Sequence, residues 1–270
     1  MLISENIIEN PYLKSIVGVI TRTFYDEPTI EQLNEEKWKS LKTIHAKNPK
    51  YFSNNQQRRY GIECWPLDAD SMVGIFRLVN IYSCLKDVIE NNIEGDFVET
   101  GVWKGGSCVM ANAVIHEYNQ SHKRKVHVFD SFEGLPIPYM SQDAGDNHHT
   151  IDCLAISEDR VKETFSSYNL LTENVLFRKG WFKDTMQKID DIDKVAVLRL
   201  DGDMYSSTIE VLEALYDKVQ IGGYIIIDDW TLKGAKLAVN DFLGKRGITP
   251  TIIDIDTASC YWKKTVQLAS

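Results

Sequence analysis

Two pairs of aspartates stand at the ends of two apolar runs. Asp201 and Asp203 follow Val195–Ala196–Val197–Leu198–Arg199–Leu200, and Asp228 and Asp229 follow Tyr224–Ile225–Ile226–Ile227. Runs of this length and composition read as β-strands. In an open parallel sheet, ligands bind just beyond the carboxyl ends of the strands. Four carboxylates gathered there repel one another unless a cation lies between them. Hard oxygen donors favour Mg²⁺, Mn²⁺ or Ca²⁺ over Zn²⁺. The pattern points to a metal-assisted enzyme. Taken singly, Asp203 and Asp229 have a plainer reading as caps of the helices that follow them.

A second constellation lies upstream. Glu99–Thr100–Gly101–Val102–Trp103–Lys104–Gly105–Gly106–Ser107 follows one apolar strand and opens a helix. Glycines at such a turn let the backbone approach a ligand. The dinucleotide fingerprint G-x-G-x-x-G is broken, because Trp103 stands where the second glycine belongs. The next strand, Val126–His127–Val128–Phe129–Asp130, ends in an acid at the place that commonly binds ribose hydroxyls. A solvated acid at a strand end is the plainer alternative. His148 and His149 lie in a polar stretch and read either as a solvated pair or as a substrate contact. Trp103, Trp181 and Trp230 each adjoin one of these segments and could stack on a ligand or fill a rim.

The elements that must position these residues alternate from about residue 94 onward. Asp96–Thr100, Val126–Asp130, Asn174–Phe177 and the two aspartate-bearing runs read as strands. Ser107–Tyr118 and Glu158–Tyr168 read as helices. Thr251–Ile255 and Cys260–Lys263 read as an antiparallel pair closing the sheet. Repeated βα units imply an α/β fold with a doubly wound, mostly parallel sheet. Residues 131–156 form a polar stretch of a length usually found in lids or binding segments, expected to order over the site when ligands bind. Residues 1–90 read as a mainly helical extension and 91–270 as the sheet domain. Within the extension, Thr29 and Gln32 have capping-box spacing, Asn54–Arg59 is a polar break, and a helical period starts at Ser71.

The chain of 270 residues carries a formal charge of −9, and its longest basic stretch is His122–Lys123–Arg124–Lys125. A phosphate-binding surface usually leaves a basic footprint, so nucleic acid is not an expected partner. No stretch approaches the roughly 20 apolar residues that span a bilayer, and the first residues lack a signal-peptide pattern. Membrane association is therefore not expected. The five cysteines, widely spaced and without C-x-x-C, read as reduced cytoplasmic thiols.

Several ordered segments together carry a family resemblance. They are Trp65–Pro66 with Ser71–Met72 and Arg77; the segment Glu99–Ser107; Asp130–Ser131–Phe132–Glu133–Gly134–Leu135–Pro136; Lys179–Gly180–Trp181–Phe182–Lys183–Asp184–Thr185; Leu200–Asp201–Gly202–Asp203–Met204–Tyr205–Ser206–Ser207–Thr208; Gly222–Gly223–Tyr224; and Asp228–Asp229. Over roughly residues 60–265 the chain resembles the macrocin O-methyltransferase (TylF-like) family of S-adenosylmethionine- and metal-dependent sugar methyltransferases. The resemblance implies a class I methyltransferase with a seven-stranded Rossmann-like sheet. It implies S-adenosylmethionine on Glu99, Thr100, Gly101, Gly105, Gly106, Ser107, Asp130 and Ser131, covered by Ser71 and Met72. Position 71 often holds Thr in that family. The resemblance also implies Mg²⁺ on Asp201, Asp228 and Asp229, with Asp203 as base and Asp201 sharing in catalysis.

The implied acceptor is a vicinal diol on a glycosylated small molecule. A related class that methylates catechols uses Lys three residues after its first metal-binding Asp, where this chain has Met204; that favours an aliphatic diol. A homo-oligomer joined through the N-terminal helices is the expectation for self-association. The competing classes are a D-x-D phosphatase, a D-x-D glycosyltransferase and a non-catalytic binding protein on the same scaffold.

Overall fold

The computed structural model describes residues 7–24 and 69–266. The Thr29–Gln32 spacing, the polar break at Asn54–Arg59, Cys64 and the Trp65–Pro66 pair lie outside them. Seven strands are described: β1 (Asp96–Thr100), β2 (Val126–Asp130), β3 (Val175–Lys179), β4 (Val195–Leu200), β5 (Val219–Ile227), β6 (Ile253–Asp254) and β7 (Cys260–Lys263). They form one sheet in the order β3-β2-β1-β4-β5-β7-β6. The first five are parallel, and β7 runs antiparallel to both of its neighbours. The expected doubly wound sheet and its reversed closing pair are both present.

Seven helices accompany the sheet among the described residues: α1 (Pro11–Ile20), α2 (Ile75–Glu90), α3 (Gly106–Glu117), α4 (Glu158–Ser167), α5 (Phe182–Thr185), α6 (Tyr205–Leu215) and α7 (Lys233–Arg246). The central strands are apolar on both faces because both faces are covered. One core joins α1, α2, α3 and α4 to the sheet, and the other joins α6 and α7 to its opposite face. The described helices before β1 thus share a core with β1 and β2.

β3 runs to Lys179, past the expected end at Phe177, β6 keeps only Ile253–Asp254 of the expected strand, and α5 has no counterpart in the sequence expectation. Two further segments differ from that expectation. β5 begins at Val219, five residues before the apolar run. Glycine weakens an isolated strand, but here the backbone is paired: Gly222 N–H donates to Lys264 O, and Lys264 N–H to Gly223 O. The period that starts at Ser71 becomes helical only at Ile75. Residues 69–74 instead run beside the glycine turn, where Gly106 N–H donates to Asp70 O at 3.0 Å. A Cβ on Gly106 would come within 2.5 Å of that oxygen, so glycine is required for the approach.

Candidate active site

Strand register assembles the site. Thr100 pairs with Leu200, and Leu200 with Ile227. The next residues, Gly101, Asp201 and Asp228, therefore leave the sheet side by side at its carboxyl edge. Asp201, Asp228 and Asp229 each offer one carboxylate oxygen, and these atoms lie within 4.8 Å of one another. After Asp201 the chain turns sharply, with Met204 N–H donating to Gly202 O. Asp203 takes a left-handed backbone at φ 59, a strained region for a side-chain-bearing residue that Asp tolerates better than most. Its N–H donates to Asp229 Oδ2 at 2.9 Å. The two D-containing turns are thus tied directly together.

Part of the charge that must offset these acids comes from the chain itself. Arg199 is fully buried and pairs with Glu99, Asp201 and Asp228. Arg77, from α2, binds Asp228 at 2.5 Å and Asp256 at 2.7 Å. Burial pushes Asp228 up, but the two guanidiniums outweigh it and hold this carboxyl below its ordinary range. The other acids keep an unmet demand for positive charge. Burial, then Asp228, lifts Asp201 well above the carboxylate range. Burial, then Asp203, does the same for Asp229. Asp203 is pushed up to about 8, by burial first and then by Asp201. Acids held this way suit a divalent cation with a preference for hard oxygen ligands. Each carboxylate oxygen has two lone pairs, so Asp228 can keep its arginines and still offer a ligand.

The acids face a cavity of about 750 Å³ over the carboxyl ends of the strands. It is also lined by Met72, Arg77, Gly101, Trp103, Asp130, Ser131, Trp181 and His148. Gly101, at φ +86, packs so closely that a Cβ would come within 1.8 Å of Asp201 O. Asp130 accepts from Val102 N–H at 2.8 Å and from Phe132 N–H at 2.7 Å. It therefore fixes the glycine turn from below while facing the cavity. Burial raises its pKa against those amide bonds.

The remaining expected cofactor residues stand behind this lining. Glu99 is fully buried and accepts from Ser107 Oγ at 2.5 Å, from Cys108 Sγ at 2.9 Å and from Arg199. Its position makes it a partner of Arg199 beneath the cavity floor. Thr100, Gly105, Gly106 and Ser107 support the same floor without lining the cavity. Ser71 Oγ accepts from Val73 N–H at 3.2 Å, while its neighbour Met72 reaches the cavity. Trp230 lies outside the lining and stacks under Lys236, 4.7 Å from the ring centroid.

Sequence reasoning assigned no role to Arg199, Arg77 or Asp143. The signal for Arg199 was available: one charged residue inside an otherwise apolar strand has to be paired. Asp143 carried none. It lies in the 131–156 segment, yet its carboxylate accepts from Tyr205 N–H at 2.7 Å and Ser206 N–H at 3.0 Å, capping α6 from a distance. That excludes the plainer alternative in which Asp203 caps this helix. Asp229 does not cap α7 either, because that helix begins at Lys233 behind Leu232.

Comparison with known proteins places the chain among similar sequences and structures. The macrocin-O-methyltransferase (TylF) family profile covers residues 9–264. Demethyldecarbamoylnovobiocin O-methyltransferase of Streptomyces niveus is 39% identical over 259 residues, spanning 94% of this chain and 93% of that protein. The 8-demethyl-8-(2,3-dimethoxy-alpha-L-rhamnosyl)-tetracenomycin-C 4'-O-methyltransferase of Streptomyces olivaceus is 38% identical over 215 residues, 76% of this chain and 79% of that protein. The solved structure of the O-methyltransferase NovP superposes with a TM-score of 0.80 at 38% identity, covering 94% of this chain and 98% of that one.

Proposed function

This chain belongs to the macrocin O-methyltransferase (TylF) family and is an S-adenosylmethionine-dependent O-methyltransferase, and on that premise we propose that it methylates a sugar hydroxyl of a glycosylated small molecule with the help of a divalent cation. One observation carries the reading: the D-x-D turn and the Asp228–Asp229 pair converge on the cavity that also holds the glycine turn and Asp130. The relative that methylates the 4' position of a rhamnosyl tetracenomycin supports a sugar as the acceptor. Phosphatase and glycosyltransferase readings are set aside, because the matched family and both relatives are methyltransferases. We take residues 91–270 as the methyltransferase domain and 1–90 as its N-terminal extension.

S-adenosylmethionine, held by Asp130 and the turn at Gly101, would supply the methyl group for the acceptor oxygen. A divalent ion held by Asp201, Asp228 and Asp229 would supply Lewis acidity toward the acceptor hydroxyl. The protein does the rest by positioning and electrostatics. Asp130 and the turn at Gly101 receive the cofactor. Asp201, Asp228 and Asp229 hold the ion. Arg199 and Arg77 keep Asp228 ionised and aimed. Asp203 takes the proton from the acceptor hydroxyl.

The test is a methyl-transfer assay on the two relatives' acceptors and on a catechol, with Mg²⁺ and after chelation. Mass spectrometry should find a methylated sugar only with the ion present, and no methylated catechol. Full activity after chelation would remove the metal from the reading. Transfer to the catechol alone would remove the sugar.

A further inference from the structure

The adjacent histidines at 148 and 149 meet different surroundings. His148 is half-buried and lines the cavity, whereas His149 is exposed and does not. Asp146 holds His148 twice: Oδ1 accepts from its backbone N–H, and Oδ2 lies against its Nδ1, each at 2.8 Å. A carboxylate only accepts hydrogen bonds, so this contact puts the ring hydrogen on Nδ1 and leaves Nε2 of the neutral ring as an acceptor. Among the described residues no protein group bonds Nε2.

The placement of this dyad is built into the fold. Asp146 N–H donates to Asp143 O at 3.0 Å. Asp143 is itself buried and locked to the first two amides of α6. The dyad is therefore anchored to the chain just beyond Asp203. Three of the four acids of the site are already engaged, Asp228 by two arginines, Asp201 by Arg199 and Asp229 by the Asp203 amide, and Asp203 is assigned to the proton. A neutral nitrogen acceptor can hold a hydroxyl without adding charge to an already acidic cluster.

We propose that His148, kept in its Nδ1–H form by Asp146, is an acceptor-binding residue whose Nε2 takes a hydrogen bond from a sugar hydroxyl and so selects which hydroxyl faces the methyl donor. The inference rests on the sugar reading above.

Two experiments on the full chain test it. In the first, ¹⁵N-histidine NMR should find His148 as the Nδ1–H tautomer, its signals assigned by their loss in His148→Gln. Asp146→Leu should release that tautomer. An Nε2–H tautomer in the wild type overturns the proposal. In the second, demethyldecarbamoylnovobiocin and the rhamnosyl tetracenomycin serve as acceptors. His148→Ala should raise acceptor KM by about ten- to hundredfold, the scale of one lost hydrogen bond in a closed site. It should also spread methylation to neighbouring hydroxyls. S-adenosylmethionine affinity should not change, His148→Gln should recover part of the loss through its carbonyl, and His149→Ala should behave as wild type. Normal wild-type turnover with unchanged KM and product position in His148→Ala overturns the proposal alone. A wild type that methylates neither glycoside overturns the sugar reading and the proposal with it.

Discussion

Arg199 brings a fully buried guanidinium against Glu99, Asp201 and Asp228. Removing one partner from a buried ion network leaves the others uncompensated. Arg199→Leu should therefore cost about 3–5 kcal/mol of stability, read by denaturant unfolding, and should weaken Mg²⁺ binding by disordering its ligands. Asp203→Asn tests a different role. It keeps size and polarity but cannot take a proton, so turnover should fall by about 10²–10⁴ while Mg²⁺ affinity stays within a few-fold. Loss of metal in Asp203→Asn but not in Asp201→Asn would reverse the two assignments. The elevated Asp203 pKa also has a consequence for the metal-free protein. The folded state keeps a proton that the unfolded chain releases near the ordinary aspartate value of 3.8. That contribution is whole below the unfolded pKa and is lost as pH rises toward about 8. The stability of metal-free Asp203→Asn relative to wild type should therefore widen between about pH 5 and about pH 8. A constant difference across that range would show that Asp203 titrates like an exposed acid.

The turn between β1 and α3 and the long segment between β2 and α4 are two of the elements that shape the cavity. In the first, Gly101 needs a positive φ and has no room for a Cβ against Asp201 O. Gly101→Ala should destabilise by at least about 1–3 kcal/mol, the usual scale of overpacking, and should abolish cofactor binding in calorimetry. In the second, three 3₁₀ turns, at Ser141–Asp143, His148–Thr150 and Asp152–Leu154, shorten what reads as a structureless stretch. Asp143 pins one side, and the Trp103 Nε1–H bond to Cys153 O, at 2.9 Å, pins the other. Between these points most residues are exposed. Asp143→Ala should lose about 1 kcal/mol of capping energy and speed hydrogen exchange at the start of α6. In the wild type, ligands should slow exchange mainly between the pins, and equal exchange with and without ligands would count against closure.

At the scale of the molecule, the proposed cofactor and acceptor sites share one cavity lined by the end of β2 and the segments that follow β1, β2, β3, β4 and β5. Ligand binding is therefore coupled to the whole sheet rather than to one loop. S-adenosylhomocysteine at about a hundred times its dissociation constant should add about 2.7 kcal/mol to unfolding, seen as a raised Tm. Asp130→Ala should weaken that binding by about 1–3 kcal/mol, so the same rise in Tm should need a proportionally higher concentration. An unshifted titration would remove Asp130 from the cofactor site. No helix among the described residues is long and apolar enough to cross a membrane.

The sequence by itself determined where β1, β2, β4 and β5 end. Apolar runs closed by Asp130, Asp201 and Asp228 can be buried on both faces only within a covered parallel sheet, and such a sheet gathers ligands at its carboxyl edge. The glycine turn and the paired aspartates were legible for the same reason: their spacing is local. What local spacing cannot encode is which side chains meet across the sheet. Register sets Glu99 beside Arg199 and Arg199 beside Ile226, which gives the expected cofactor residue a buried ion partner. Arg77 and Asp228 are 151 residues apart in the chain, and Asp143 caps a helix 62 residues further on. The two histidines are equivalent as letters. Only the anchored turn, which points one at the cavity and leaves the other in solvent, distinguishes them.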